Sequence, residues 1–283
     1  MLTAYDIGDD SCRVSDGWRA ELALGFRAVP GRTLLAQRRR RGPLAVQRPF
    51  YPEGGVCHVY LLHPPGGVVG GDSLQLDVDL GEGAQALLTT PGATKYYRSG
   101  GRPARQLQQL SVADGATLEW LPQENIFFPG AEVTLDTRVE LHGDARCVLW
   151  EIHCLGRPVI GEAFDSGRID SRLSLHRDGH PLLLDRLRVD RDNRRRASLL
   201  AGEAVSGMLL LSHAGEDEVA ACRALLAEES EVAAAVTLIE DLLLLRYLGD
   251  STERARRLFS AAWRRLRPMT LARAPSTPRI WAT

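Results

Sequence analysis

The chain has 283 residues, 44% hydrophobic and 25% charged, a globular composition large enough for one big domain or two small ones. A formal net charge of −1 exerts no overall pull on nucleic acid or an acidic membrane, and no run of about 18 apolar residues offers a transmembrane helix. Cys12, Cys57, Cys147, Cys154 and Cys222 are odd in number and form no CxxC pair, which signals neither a disulfide framework nor structural zinc. Together with an N-terminus, MLTAYDIGDD, that lacks a basic region and an apolar run, they point to a reducing, cytoplasmic setting.

The first readable element is a strand in which Trp18, Ala20, Leu22, Leu24 and Phe26 alternate with charged or small residues up to Pro30-Gly31. Residues 33–37 and 44–47 read as short strands around an arginine run at 38–41, with a turn at Gly42-Pro43. That run and the arginines of 191–196 read as solvated loops or as a docking surface for an acidic partner. Residues 56–62 form another strand, which leads into loop 63–72 with its two prolines and four glycines. Leu74, Leu76, Val78 and Leu80 then alternate with polar residues, Gly81-Glu82-Gly83 turns the chain, and 84–90 returns as a more apolar strand. A second special loop, 90–95, contains Thr90, Pro91, Gly92 and Lys95.

Segments 74–88, 110–121 and 139–150 share one plan: strand, Gly/acid turn, small residue, strand. Their matching alanines, Ala84, Ala116 and Ala145, recur about every 30 residues. Stacked units of this kind fit a β-solenoid, in which each turn covers its neighbour. A β-sandwich meander with similar turns fits the pattern equally well. Residues 122–130 and 155–164 are irregular, and 173–177 with 182–187 flank a hairpin signal at Asp178-Gly179.

From about Ala204 the pattern changes. Residues 205–212 are an apolar strand, and Glu216, Asp217 and Glu218 open a helix carrying Val219, Cys222, Leu225 and Leu226. Residues 233–248 have the Ala and Leu content of a helix but no polar face at helical spacing. They read as two strands, 233–239 and 242–247, turning at Glu240-Asp241. Asp250 and Glu253 suggest a capping box. Ala255, Leu258, Phe259, Ala262 and Leu266 form the apolar stripe of a last helix, with Arg254, Arg256, Arg257, Arg264, Arg265 and Arg267 on its other sides and Pro268 ending it. The tail carries Ile280 and Trp281 and is expected to be docked.

No reactive motif stands out. The glycines of 66–71 precede a strand, not a helix, so they offer a phosphate no helix N-terminus. Gly92-Ala93-Thr94-Lys95 lacks the GxxxxGK[ST] spacing, and no GxSxG elbow occurs. The histidines, at 58, 63, 142, 153, 176, 180 and 213, are scattered, and no high-affinity metal site is signalled. His153 and Cys154 are adjacent, so on a strand they face opposite sides. The pattern suits a scaffold or docking module. A stand-alone metal-storage or metal-buffer protein and a hydrolase without a recognisable motif remain as alternatives.

PPGGVVGGD at 64–72, followed by LLTTPGATKYYRS at 87–99, resembles the signature of the urease accessory protein UreD (UreH) family. WLPQE at 120–124, CLGRP at 154–158 and the closing PRIWAT at 278–283 fall in that family's order, so the resemblance runs from about Trp18 to the end. It implies a mainly β, β-helix-like fold, which tips the choice toward a solenoid, and it supports two strands in 233–247. The expected organisation is a β-rich body, 1–203, and a strand–helix–strand–strand–helix part, 204–283, continuous with it. The resemblance also implies a non-catalytic urease maturation factor that binds apo-urease, UreF and the GTPase UreG. Such a protein has no tightly bound cofactor and carries nickel only in transit, through an internal tunnel. Transit needs weak, repeated sites, for which Asp72, Glu151, Asp185 and His63 are candidates. Pro65, Gly66, Gly67, Gly70, Gly71, Thr90, Pro91, Gly92 and Lys95 belong to the signature loops, and Arg279, Ile280 and Trp281 are partner-binding candidates.

Overall fold

Strand outweighs helix, 49% against 15%, and the strands wind as a β-solenoid of about four turns. The computed structural model describes residues 17–229 and 232–282; Cys12, the ten N-terminal residues and Thr283 of the closing motif lie outside them. In chain order the first strands are β1 (Arg19–Val29), β2 (Arg32–Arg41), β3 (Ala45–Val46), β4 (Cys57–Leu62), β5 (Ser73–Leu80), β6 (Gln85–Thr89), β7 (Thr94–Tyr96), β8 (Ala104–Val112) and β9 (Thr117–Trp120). There follow β10 (Asn125–Phe127), β11 (Glu132–Leu141), β12 (Arg146–Arg157), β13 (Glu162–Ala163), β14 (Arg168–Arg177), β15 (His180–Asp190) and β16 (Val205–Leu211). Helix α1 (Glu216–Glu228), strands β17 (Ala233–Ile239) and β18 (Leu242–Gly249), and helix α2 (Thr252–Leu271) complete the order.

Each coil lays one strand on a first sheet, turns a corner and lays the next on a second. The first sheet runs β15-β14-β11-β8-β5-β1-β2, parallel from β14 to β1 and ended on both sides by an antiparallel partner. The second runs β17-β18-β16-β12-β9-β6-β4-β3, parallel from β12 to β4. A narrow third face stacks β7, β10 and the end of β12.

The corners explain the alanine repeat. Ala84, Ala116 and Ala145 are fully buried, and each corner hydrogen-bonds to the next: Thr117 N–H donates to Ala84 C=O at 2.8 Å and Arg146 N–H to Ala116 C=O at 2.9 Å. Coils stacked this closely leave room only for a small side chain. The period-two apolar residues point between the sheets, where Leu22, Val78, Leu88, Leu110, Leu118, Val139 and Leu149 pack together.

Beyond the coils, β16, β18 and β17 extend the second sheet by antiparallel pairing to β12. Helices α1 and α2 cover its outer side over Trp150, Ile152, Leu209, Leu243 and Leu245. The hairpin at Asp178-Gly179 is present, with φ of 50° and 75° at its two loop residues. So are the two strands joined at Glu240-Asp241.

Several expected boundaries shift. The arginines of 38–41 do not lie in a loop: they are the exposed end of β2, paired with β1 so that Arg38 stands opposite Leu24 and Arg40 opposite Leu22. An edge strand tolerates charge at its margin and thereby resists further pairing. The cap of α2 is Ser251, whose side chain accepts the Arg254 N–H at 3.2 Å, in place of the Asp250/Glu253 box. Pro268 does not end that helix, which continues to Leu271. Its ring falls in the last turn, where Arg264 and Pro268 are exposed and the bond it removes opens toward water.

The largest departure is Arg267, expected on the outer face but only 1% exposed. Its guanidinium reaches Glu119 at 2.8 Å and Glu53 at 2.6 Å and donates to the Ala274 C=O at 2.5 Å. Glu53 also meets His58 Nε2 at 2.5 Å, and Trp263 Nε1–H donates to Glu119 at 2.6 Å. A cation with this many partners is tolerated in the interior because each carboxylate is hydrogen-bonded as well as paired.

Candidate functional site

The first signature loop is fixed from inside. Both Asp72 oxygens are taken by backbone amides: Oδ1 accepts from Trp18 N–H at 2.8 Å and Oδ2 from Val69 N–H at 2.9 Å. Gly70 has no room for a side chain, since a Cβ there would stand 1.9 Å from the Ser99 carbonyl oxygen. Gly71 adopts φ +90°, which suits glycine. The loop packs against the second one through Val68, which accepts the Tyr97 N–H at 2.9 Å and donates to the Lys95 C=O at 2.7 Å.

These two loops form the mouth of a cavity of about 240 Å³, lined by His63, Gly66, Gly67, residues 90–95, Gln106, Gln108, Asn125, Thr137 and Glu151. A second cavity, of about 550 Å³, opens between β15 and the β17–β18 pair and is lined by Glu151, His153, Ser171, Asp185 and Arg246 among others. Glu151 borders both. Its Oε1 accepts the Thr137 hydroxyl at 2.6 Å, and its Oε2 stands 3.7 Å from His153 Nε2. His153 also meets Ser171 Oγ at 3.2 Å and Asn125 Nδ2 at 3.4 Å.

Burial dominates the electrostatics. It pushes the Glu151 carboxyl up to about 7; the Thr137 hydrogen bond opposes this and the Asp185 charge adds to it. It pushes His153 down to about 4, against the attraction of Asp185. His63 is likewise lowered by burial, with Asp72 pulling the other way. Burial therefore favours the neutral imidazole at His63 and His153 and the protonated carboxyl at Glu151.

The expected transit residues separate into two groups. His63, Glu151 and Asp185 line cavity walls, with Asp185 paired to Arg246 at 2.8 Å. Asp72 lines neither cavity and acts on the loop backbone. Pro65, Gly66, Gly67, Gly70 and Gly71 lie on the first loop, and Thr90, Pro91, Gly92 and Lys95 on the second. At the tail, Arg279 is exposed and Ile280 half-buried. The Trp281 ring packs 5.1 Å from Trp150 and 5.6 Å from Trp263, and its Nε1–H donates to Thr89 Oγ1 at 2.9 Å. Among the described residues, no three His, Cys, Asp or Glu side chains converge on a metal-sized site, and no helix is long and apolar enough to cross a membrane.

Sequence reasoning missed Gln106, Gln108, Thr137, Ser171 and the place of His153 beside Glu151. A signal was present. Gln106 and Gln108 interrupt the inward series Ala104, Leu110, Val112, and Thr137 interrupts Val133, Leu135, Val139, Leu141. Glu151 and His153, two apart on β12, share one face. Together they form a polar strip between the apolar core around Leu110, Val139 and Leu149 and a second one around Tyr96, Phe127 and Leu135.

The fold and its cavities thus define a β-solenoid with two cavities that share Glu151 and a helical outer layer. The profile described as UreD urease accessory protein matches residues 19–282. The chain is 46% identical to "Urease accessory protein UreD" of Alcanivorax borkumensis over 94% of its length and 93% of the relative. It is 47% identical to the Pseudomonas entomophila protein of that name, over 94% of this chain and 95% of the relative. For the Escherichia coli protein of that name the identity is 44%, over 94% of this chain and 98% of the relative. The chain belongs to the UreD urease accessory protein family.

Proposed function

We propose that this protein is a non-catalytic maturation factor that binds apo-urease, UreF and UreG in the cytoplasm and passes nickel to the urease active site. The observation that supports this most directly is the position of Glu151 on the wall shared by the two cavities, one reached from the signature loops and the other opening beside β17. A cation entering past His63 meets Glu151 and leaves past His153 and Asp185. The carboxylate, imidazole and hydroxyl groups along the way are weak sites in series, as passage requires. Asp72 serves the same route by holding the loop at its mouth. The tail contributes to UreF binding through Arg279 and Ile280, while Trp281 anchors it.

The test is co-expression of a tagged copy with UreF, UreG and apo-urease, followed by measurement of the co-eluting species and of urease nickel content. The wild type is expected to co-elute with the partners and load urease. Glu151→Ala is expected to co-elute equally but load urease at least about tenfold less, since one lost buried ligand is worth a factor of that order. Deletion of 275–283 is expected to weaken co-elution with UreF. Normal nickel loading by Glu151→Ala would sink the route proposed here. Tight stoichiometric nickel in the isolated chain would favour the buffer reading instead.

A further inference from the structure

The two sheets end in very different edges. The first sheet ends at β2, whose exposed half carries four consecutive arginines, a device against additional strands. The second ends at β17, sequence AAAVTLI, without a charge, proline or glycine. In the two-residue hairpin β17–β18, Ile239 pairs with Leu242, Thr237 with Leu244 and Ala235 with Arg246. Antiparallel alternation therefore turns the backbone groups of Ala234, Val236 and Leu238 outward. Ala234 N–H is taken by the Val232 carbonyl at 3.0 Å. Among the described residues, no element pairs with the outward N–H and C=O groups of Val236 and Leu238.

From this edge we infer that β17 is a docking strand, extended by an added strand from a protein partner whose segment is small or β-branched at its centre and carries Lys or Arg at both ends. The ends of β17 set that charge. Glu228, at the close of α1, and Glu240, in the hairpin loop, are exposed and belong to none of the ion pairs of the described residues. Backbone hydrogen bonds supply the attachment and the flanking acids select the partner. Self-pairing of β17 with a second copy fits poorly. Antiparallel β17–β17 pairing would bring the Glu240 end of one strand against the Glu228 end of the other. The β2 edge of another copy carries arginine at both ends, Arg32 and Arg38–Arg41, so the self-association arm of the test below separates it from a foreign partner. The inference stands apart from the nickel route, although Ala233 and Ala235 do border the second cavity.

The probe is a short labelled peptide of alternating Thr and Val with two Lys at each end, titrated into the full-length protein by fluorescence anisotropy. A twin with Glu in place of Lys serves as control. Saturable binding of the Lys peptide, at least about tenfold tighter than the Glu twin, is expected. Val236→Pro removes an outward amide that β18 does not use and should weaken binding about tenfold with little change in the melting temperature. Should that variant fold poorly, Thr237→Lys at an exposed position on the same strand reads the same edge by charge. Glu240→Lys should narrow the preference between the two peptides. Equal binding by the wild type and Thr237→Lys overturns the assignment, as does the absence of binding. Self-association of the free protein that Thr237→Lys abolishes would overturn it in favour of a second copy.

Discussion

Arg267→Ala is expected to destabilise the protein by about 3–5 kcal/mol, the usual cost of stranding buried charge when one partner of an ion pair is removed. The Arg267 side chain is fully buried and Glu119 is 2% exposed, so water does not reach the charges left behind. Dispersion is lost too, because the guanidinium lies 5.3 Å from the Trp263 ring centre. A fall in melting temperature on the order of 10 °C should accompany it. Arg267→Met, which keeps bulk and removes charge, should be nearly as damaging, and a triple change with Glu53→Gln and Glu119→Gln should recover part of the loss. Urea titration measures all three. A single-variant cost below about 1 kcal/mol, the range of exposed pairs, would show that the network carries no such weight. Burial alone would raise the Glu53 carboxyl, but its hydrogen bonds to His58 and Arg267 outweigh this and hold it below 4.5. Its contribution is therefore full above pH 4.5 and fades as pH falls through the lowered value. The alanine variant should lose part of this acid-side dependence, the share owed to Arg267, and keep the share owed to His58.

The second large effect concerns Glu151 and is read against pH. Its carboxyl is raised from 4.5 to about 7, so between those values the folded protein holds a proton that the unfolded chain has released. Stability contributed by this group is therefore present below pH 4.5 and lost as pH rises toward about 7. Glu151→Gln is expected to match the wild type near pH 5 and to exceed it by about 3 kcal/mol at pH 8, because each tenfold change in proton affinity on folding is worth about 1.4 kcal/mol. The same proton competes with a cation. Nickel loading by the wild type should fall about tenfold for each step of one in pH below 7, while the glutamine variant should be low and flat. Comparing the two proteins at each pH removes any titration in the partners. Parallel profiles would show that Glu151 does not gate the transfer.

The coils are legible in the sequence because their physics is local. Alternation at 74–80, the corner at 81–83 and the small residue at Ala84 recur with a fixed period, so one coil predicts the next. What escapes depends on neighbours distant in sequence. Arg267 looks like one arginine among six until Glu53 and Glu119 are brought beneath it. Its spacing holds a clue, since Phe259, Trp263 and Arg267 recur every four residues on one helical face. The polar strip escapes for a related reason. Gln106, Gln108 and Thr137 are unremarkable singly and become a strip only when β8 and β11 are laid side by side and β12 of the other sheet faces them. The arginine run at 38–41 misleads because charge density suggests a loop, whereas an edge strand accepts it.

The antiparallel strands at both ends of the first sheet bear on how chains of this type change length. A parallel coil has no natural last turn; β2 at one end and β15 at the other supply one. Between them every rung must keep register with two neighbours. A whole coil is thus the increment of growth or loss in the interior, while shorter changes are confined to corners and excursions such as the one holding β2 and β3 between β1 and β5.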